Sequence, residues 1–378
     1  MRRFYFPGWV LAGFGAAILG VVLLSVLAFA TNYQQLGNLV RVISLIRTHY
    51  LEEVPSSRLV EGAIRGMVGA LDDPYSVYLD PQTYTHLTEQ IEGSFGGLGI
   101  LVGLKDQKLT VIKPFAGTPA ARAGIRSGDT ILKINDVNAR GIDLETALTL
   151  MRGPVGSKVA LTIQREGEPA PLRYELTREE IQIPTVEARI MNRRGLAYIA
   201  ITTFTEKTGR EFNEALARMH REGMRGLILD LRDNPGGELQ AAVDVADAFL
   251  SRGPIVYIAH RARKNQVFYA DPQRTKLPLI VLVNEGTASA AEIVAGAIKD
   301  AGVGVLVGTR TYGKGVVQTL FPLNNGAGVK LTTARYLTPN KHDLNQAGIT
   351  PDVLVKQPEN AAEDVQLQRA VAILEAKL

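Results

Sequence analysis

Three successive patterns of apolar and polar positions divide the chain. Between residues 33 and 92 apolar residues recur at helical spacing, with Leu39, Val42, Ile43 and Ile46 on one face and Leu59, Ala63, Ile64, Met67, Val68 and Leu71 on another. The second helix is expected to stop in Leu71-Asp72-Asp73-Pro74-Tyr75, because a residue preceding proline is disfavoured in helical space. From 93 to 178 the period shortens. Strands are expected at 100–104, 109–112, 130–134 and 159–164, with one helix over 144–152 and a glycine-dense loop leading in. Beyond about residue 180, strand-length runs at 195–202, 226–231, 255–259, 279–283 and 305–308 alternate with helical patterns at 210–220, 239–250 and 290–299. That alternation predicts an α/β layer fold with a largely parallel sheet.

The first thirty residues add a location. Residues 6–30 carry no charge, longer than the ~20 apolar residues that cross a bilayer as a helix, and Arg2 and Arg3 precede them. Positive charge on the short side predicts a cytoplasmic N-terminus and export of everything after Thr31, as a single-pass membrane protein. Ala28-Phe29-Ala30 has the form of a cleavage site, so secretion after cleavage at Ala30 is the alternative to an uncleaved anchor. The 378 residues allow two or three domains, and their net charge of +4 is scattered, which speaks against a nucleic-acid partner. With no cysteine, disulfides, thiol catalysis and cysteine-ligated zinc are excluded. The five histidines show no ligand spacing, so neither a metal nor another cofactor is expected.

The stretch Val307-Gly308-Thr309-Arg310-Thr311-Tyr312-Gly313-Lys314-Gly315-Val316-Val317-Gln318 is one residue type short of a phosphate-binding loop. Gly308, Gly313 and Lys314 fit G-x-x-x-x-G-K-[ST], but Gly315 stands where a hydroxyl must hold magnesium. Residues 316–321 are β-branched and apolar and are stopped by Pro322, a strand pattern rather than a helix whose amides face phosphate. Lys314 therefore needs another role. Two other strand ends run straight into helices, through Arg232-Asp233-Asn234-Pro235-Gly236-Gly237 and through Glu285-Gly286-Thr287-Ala288-Ser289-Ala290, and active sites of open α/β sheets sit at such turns. Ser289 lies among small residues, accessible to a bulky substrate, and a lysine kept neutral by burial can take a serine proton. Lys314 has apolar and glycine neighbours, and Gln318, four residues on, is expected on the same side of the strand. Singly, each has a plainer reading: helix cap, surface charge, solvent-facing strand residue. A Ser-His-Asp arrangement using His260 or His342 with Asp230 or Asp233 stays open, although no G-x-S-x-G elbow supports it.

Resemblance narrows these choices. The stretch GTPAARAGIRSGDTILKIND closely resembles the hallmark region of PDZ domains, which take a chain end as an added strand. The peptide-binding loop it implies is Gly96, Gly97, Leu98, Gly99 and Ile100. Thr287-Ala288-Ser289-Ala290-Ala291-Glu292-Ile293, Thr311-Tyr312-Gly313-Lys314-Gly315-Val316-Val317-Gln318 and Asp233-Asn234-Pro235-Gly236-Gly237 together resemble the C-terminal processing peptidases, or tail-specific proteases. Ala70-Leu71-Asp72-Asp73-Pro74-Tyr75-Ser76 and Leu331-Thr332-Thr333-Ala334-Arg335-Tyr336-Leu337-Thr338-Pro339 extend the match. The resemblance implies Ser289 as nucleophile, Lys314 as general base, Gln318 as its partner, and oxyanion amides from Gly236, Gly237 and Ala290. Thr287 and Ala291 replace flanking serines of the family run, and Lys341 stands where glycine often follows the proline.

The implied architecture is a crotonase/ClpP-like α/β peptidase core with an inserted PDZ-like β-rich domain, N-terminal helices and one transmembrane helix. Its expected parts are an anchor or signal peptide (1–30), a helical region (31–92), the PDZ-like domain (93–178), the serine peptidase core (179–356) and a helical tail (357–378). The expected activity is cleavage near the C-terminal tails of exported or membrane proteins, with no cofactor. As in some relatives, the helices between Leu39 and Leu71 are candidates for a homodimer contact, and an adaptor protein is a further candidate partner. The alternative is a PDZ-based binding or scaffold protein with an inactive core, against which intact Ser289, Lys314 and Gln318 argue.

Overall fold

The computed structural model describes residues 34–378 except 106, 193, 273, 274, 359, 360 and 362, so the anchor expected over 6–30 lies outside the described residues. Among the described residues no helix is long and apolar enough to cross a membrane. The described residues divide into two compact units, with the boundary between Tyr78 and Leu79. The first contains the expected helices, Gln34–His49 and Ser56–Gly69. Their apolar stripes are only partly covered within this single chain: Leu39, Val42 and Met67 are exposed, Ile43, Ile46 and Ile64 are half-buried, and of the second helix only Val68 is buried.

The second unit opens with helix Pro81–Glu92, which Asp80 caps by accepting from Thr83 N at 2.9 Å and which Gly93 ends at φ 70°. A β-rich module comes next. Strands Ile100–Lys105, Lys108–Pro114, Thr130–Ile134, Lys158–Gln164 and Leu172–Thr177 lie side by side in that order around a core containing Leu109, Ile131, Leu161 and Ile163. Ile100–Lys105 is an edge, and helix Leu144–Met151 packs beside it. The expected glycine-dense loop is partly a strand: Ser94–Gly97 pairs with Glu179–Gln182, so the two chain segments that enter and leave the module run antiparallel. A Cβ at Gly96 would lie 2.0 Å from Gly153 O, a close approach that glycine alone permits.

The remaining residues build a layered α/β core. Strand Val186–Ile190 runs antiparallel to Leu196–Ile201, beside which Gly226–Asp230, Leu279–Val283, Val305–Gly308 and Val353–Leu354 lie parallel. Period-two alternation sorts their side chains. Leu227, Leu229, Val281 and Val283 meet the side covered by helices Thr208–Arg221, Leu239–Asp247 and Ala290–Asp300, while Ile228, Ile280 and Leu282 meet Ala370 and Leu374 of Val365–Glu375. The expectation of one largely parallel sheet needs correction at 255–259. Pro254–His260 belongs instead to an antiparallel sheet with Gln266–Tyr269, Gly328–Leu337 and Val316–Pro322. Short runs of this kind carry no periodicity that distinguishes the two kinds of sheet.

Candidate active site

Ser289 ends the turn between strand Leu279–Val283 and helix Ala290–Asp300. Its φ of 56° and ψ of −118° lie outside the ordinary regions for a residue with a Cβ, at a cost of roughly 1–3 kcal/mol. A strained strand-to-helix bend of this kind presents a nucleophile at its apex, here without the flanking glycines of an elbow motif. The room comes from the other turn. A Cβ on Gly236, whose φ is 95°, would lie 2.7 Å from Ser289 Cβ and 2.8 Å from Ala290 N.

The two turns are tied together at several points. Asp233 N donates to Asn284 Oδ1 at 2.9 Å while Asn284 Nδ2 donates to Asp233 Oδ1 at 2.8 Å. Buried Thr287 donates its hydroxyl to Leu231 O at 2.7 Å, so the threonine that replaces a family serine keeps a hydroxyl where one is used. Fully buried Asn234 donates to Ile201 O at 2.8 Å and accepts from Gly236 N at 2.8 Å. One of the expected oxyanion amides is thus engaged within the protein. Gly237 N and Ala290 N meet no acceptor among the described residues.

Glu292, on the first turn of the helix that Ser289 opens, joins Ser289 to the lysine loop. Its side chain is fully buried and accepts four hydrogen bonds. Oε2 accepts from both Ser289 N and Lys314 N, each at 2.9 Å. Oε1 accepts from Gly313 N at 2.8 Å and Thr311 Oγ1 at 2.5 Å. Gly313 and Gly315 flank Lys314 for steric reasons, since Cβ atoms there would lie 2.9 Å from Gly348 N and 2.3 Å from Asn345 N. The expected strand is present as Val316–Pro322. Burial lowers the Lys314 pKa below that of an ordinary lysine, the Lys330 charge lowers it further, and Glu292 partly opposes both.

Ser289, Lys314, Gln318, Gly236, Gly237 and Ala290 all line one cavity of about 590 Å³. Lys314 precedes the strand Val316–Pro322 that carries Gln318, and both side chains line the cavity. The register shifts between Val317 and Gln318 because the facing strand has one extra residue, Thr333, and the Gln318 amide nitrogen donates to Val316 O at 3.2 Å. No histidine lines this cavity among the described residues, and Asp230 is held by Tyr198 and Arg232 instead, which removes the geometric basis for a Ser-His-Asp arrangement. A second cavity, about 790 Å³, adjoins Asp230, Arg232 and Asp233 and contains none of the candidate catalytic side chains. Gly96, Gly97, Leu98, Gly99 and Ile100 lie outside the Ser289 cavity. Leu98 is buried, Gly99 O accepts from Phe115 N at 2.9 Å, and Ile100 begins the free edge strand.

Comparison with known proteins agrees with this arrangement. Residues 195–355 match Peptidase family S41, residues 113–165 a PDZ domain, and residues 26–83 the N-terminal domain of the activating protease CtpB. Carboxy-terminal processing protease CtpB of Bacillus subtilis is 38% identical over 338 residues, covering 88% of this chain and 70% of its own. A carboxyl-terminal-processing protease of Synechocystis sp. is 39% identical over 324 residues, 82% of this chain and 76% of its own. This chain belongs to the carboxy-terminal processing proteases of peptidase family S41. It is therefore a serine-type peptidase with a PDZ domain. The solved photosystem II D1 C-terminal processing protease shares its fold with a TM-score of 0.52 at 33% identity, over 87% of this chain and 90% of that one.

Sequence reasoning passed over Glu292 and Tyr336 in this processing-protease site. For Glu292 a signal was available, because Ser289-Ala290-Ala291-Glu292 has the S-x-x-E spacing of a capping box. Glu292→Gln would set an amide NH₂ against donors that now share two acceptor oxygens. We expect a loss of stability of roughly 1–3 kcal/mol for each donor left without an acceptor, and a matching loss of peptidase activity. Thermal unfolding and cleavage rates measured side by side check this, and a variant with the parent's melting temperature and rate would contradict the bracing role.

Proposed function

We propose that the chain is an exported endopeptidase that captures the C-terminal tail of an unfolded protein on its PDZ edge and cuts nearby with Ser289 and Lys314. The observation that carries this reading is the single oxygen, Glu292 Oε2, bonded to the backbone of both residues. Both residues line one cavity, and burial lowers the lysine pKa, which supports pairing them.

The chemistry comes from that pair. Neutral Lys314 Nζ takes the Ser289 Oγ proton as Oγ bonds to the scissile carbonyl carbon, and the carbonyl electron pair moves to oxygen. Gly237 N and Ala290 N are the donors for that oxyanion, each worth roughly 2.7–4 kcal/mol by analogy with one such donor in a serine protease. Collapse of the intermediate breaks the C–N bond, and Lys314 returns the proton to the departing amine. Water then attacks the ester carbon, giving its proton to Lys314, and Oγ leaves with that proton. Capture of the tail would use main-chain pairing along Ile100–Lys105, whose outer edge pairs with no strand among the described residues and lies beside helix Leu144–Met151.

Cleavage of an unfolded protein with an apolar C-terminal tail tests the reading. Ser289→Ala and Lys314→Ala are each expected to lower the rate by about 10⁴-fold or more, and masking the tail should slow the parent. Tail binding without cleavage in parent and variants alike would support the scaffold alternative instead. Because the base must be neutral, kcat/KM should rise with pH through an ionisation below the ordinary lysine value of about 10.4. Lys330→Met removes a neighbouring positive charge and is expected to move that limb to higher pH; an unmoved limb would exclude Lys330 as a contributor. The exposed stripe with Val42 and Met67 supports a homodimer through the N-terminal helices. Light scattering should then give twice the chain mass, and a monomer mass would end that proposal.

A further inference from the structure

One more side chain of the Ser289 cavity touches the candidate nucleophile. Tyr336 Oη lies 2.6 Å from Ser289 Oγ. The phenol is a fixed point: Tyr336 is 3% exposed, its N–H donates to Gly315 O at 3.1 Å, and it pairs with Ile258 in the neighbouring strand. Gly315 directly follows Lys314, so the tyrosine backbone is tied to the lysine loop while its hydroxyl reaches the serine.

We propose, on the Ser-Lys reading above, that Tyr336 is a positioning residue whose O–H donates to Ser289 Oγ and turns the serine proton toward Lys314. A hydroxyl oxygen has one proton and two lone pairs. If Ser289 donated to Tyr336, the proton required by Lys314 would point at the wrong acceptor. With Tyr336 as donor, one lone pair is occupied, the proton is free for Lys314 Nζ and the other lone pair is free for the carbonyl carbon. The serine side chain has one rotor with three staggered wells, and a buried donor at this distance selects among them. Tyr336 transfers no proton in either half-reaction. The same O–H stabilises the electron pair that returns to Oγ as the acyl bond breaks.

Tyr336→Phe keeps the ring and removes only the hydroxyl. In the full chain, kcat and the rate of Ser289 labelling by a fluorophosphonate are expected to fall about tenfold with KM unchanged. A double-mutant cycle on melting temperature, with Ser289→Ala, Tyr336→Phe and both, should show non-additive shifts, because the two variants delete the same hydrogen bond. The proposal is overturned by a Phe variant as fast as the parent or faster, the latter meaning that the phenol holds the serine away from its base. Additive shifts in the cycle overturn it as well, since the tyrosine would then matter through packing alone. If Ser289→Ala still cuts, the Ser-Lys reading fails, and the cycle still decides whether the two hydroxyls interact.

Discussion

A carboxylate without access to water must find its hydrogen bonds inside the protein, and Glu292 finds four of them where the serine turn meets the lysine loop. Burying such a group unpaired costs several kcal/mol, so the arrangement is stable only while both loops present their donors together. That requirement couples three parts of the chain. The helix Ala290–Asp300 carries the acid, Ser289 just before it supplies one donor, and Thr311, Gly313 and Lys314 supply the rest. The carboxylate oxygens are occupied by amides and a hydroxyl, which leaves burial as the dominant influence on the Lys314 amine.

Close backbone approach is the second constraint. Gly236, Gly237, Gly313 and Gly315 each sit where a Cβ would overlap another segment; at Gly237 the obstacle is Phe204 O, 1.9 Å away. These contacts bring the Gly236-Gly237 turn beneath Ser289 and let the lysine loop lie against residues 344–348. Gly313, which fits a nucleotide-binding loop in the linear sequence, therefore serves chain packing. The strand after Lys314 pairs with Gly328–Leu337, so no phosphate-facing helix stands there.

The PDZ module and the catalytic cavity are separate places in the second unit. The module has its own core, and Ser94–Gly97 and Glu179–Gln182 pair with each other at the point where the chain enters and leaves it. Lys207 reaches from the peptidase core to Glu180 of that pair at 2.7 Å, and Arg122 of the module bonds Glu179. The Arg122–Glu179 pair is exposed and the Lys207–Glu180 pair half-exposed, a kind of ion pair that contributes little to stability, so strand pairing holds the junction more than charge does.

Much of the fold was legible from local pattern. Leu227 to Leu229 and Leu279 to Val283 are continuous apolar runs because both faces of those strands are covered, and the helices between them follow a 3.6-residue period that packing preserves. The candidate serine and lysine were legible for a different reason: small residues around Ser289 and glycines around Lys314 express local steric needs, and their spacing resembles a known family. The sequence by itself thus determined most of the elements, the family and two candidate reactive groups. Only the tertiary structure decided that Ser289 takes a positive φ, that Gly236 N is engaged by Asn234, that Thr333 bulges in the strand facing Gln318, and that Tyr336 meets a serine 47 positions away. Those features depend on which distant backbone comes within a few ångströms, and no periodicity along the chain records that distance.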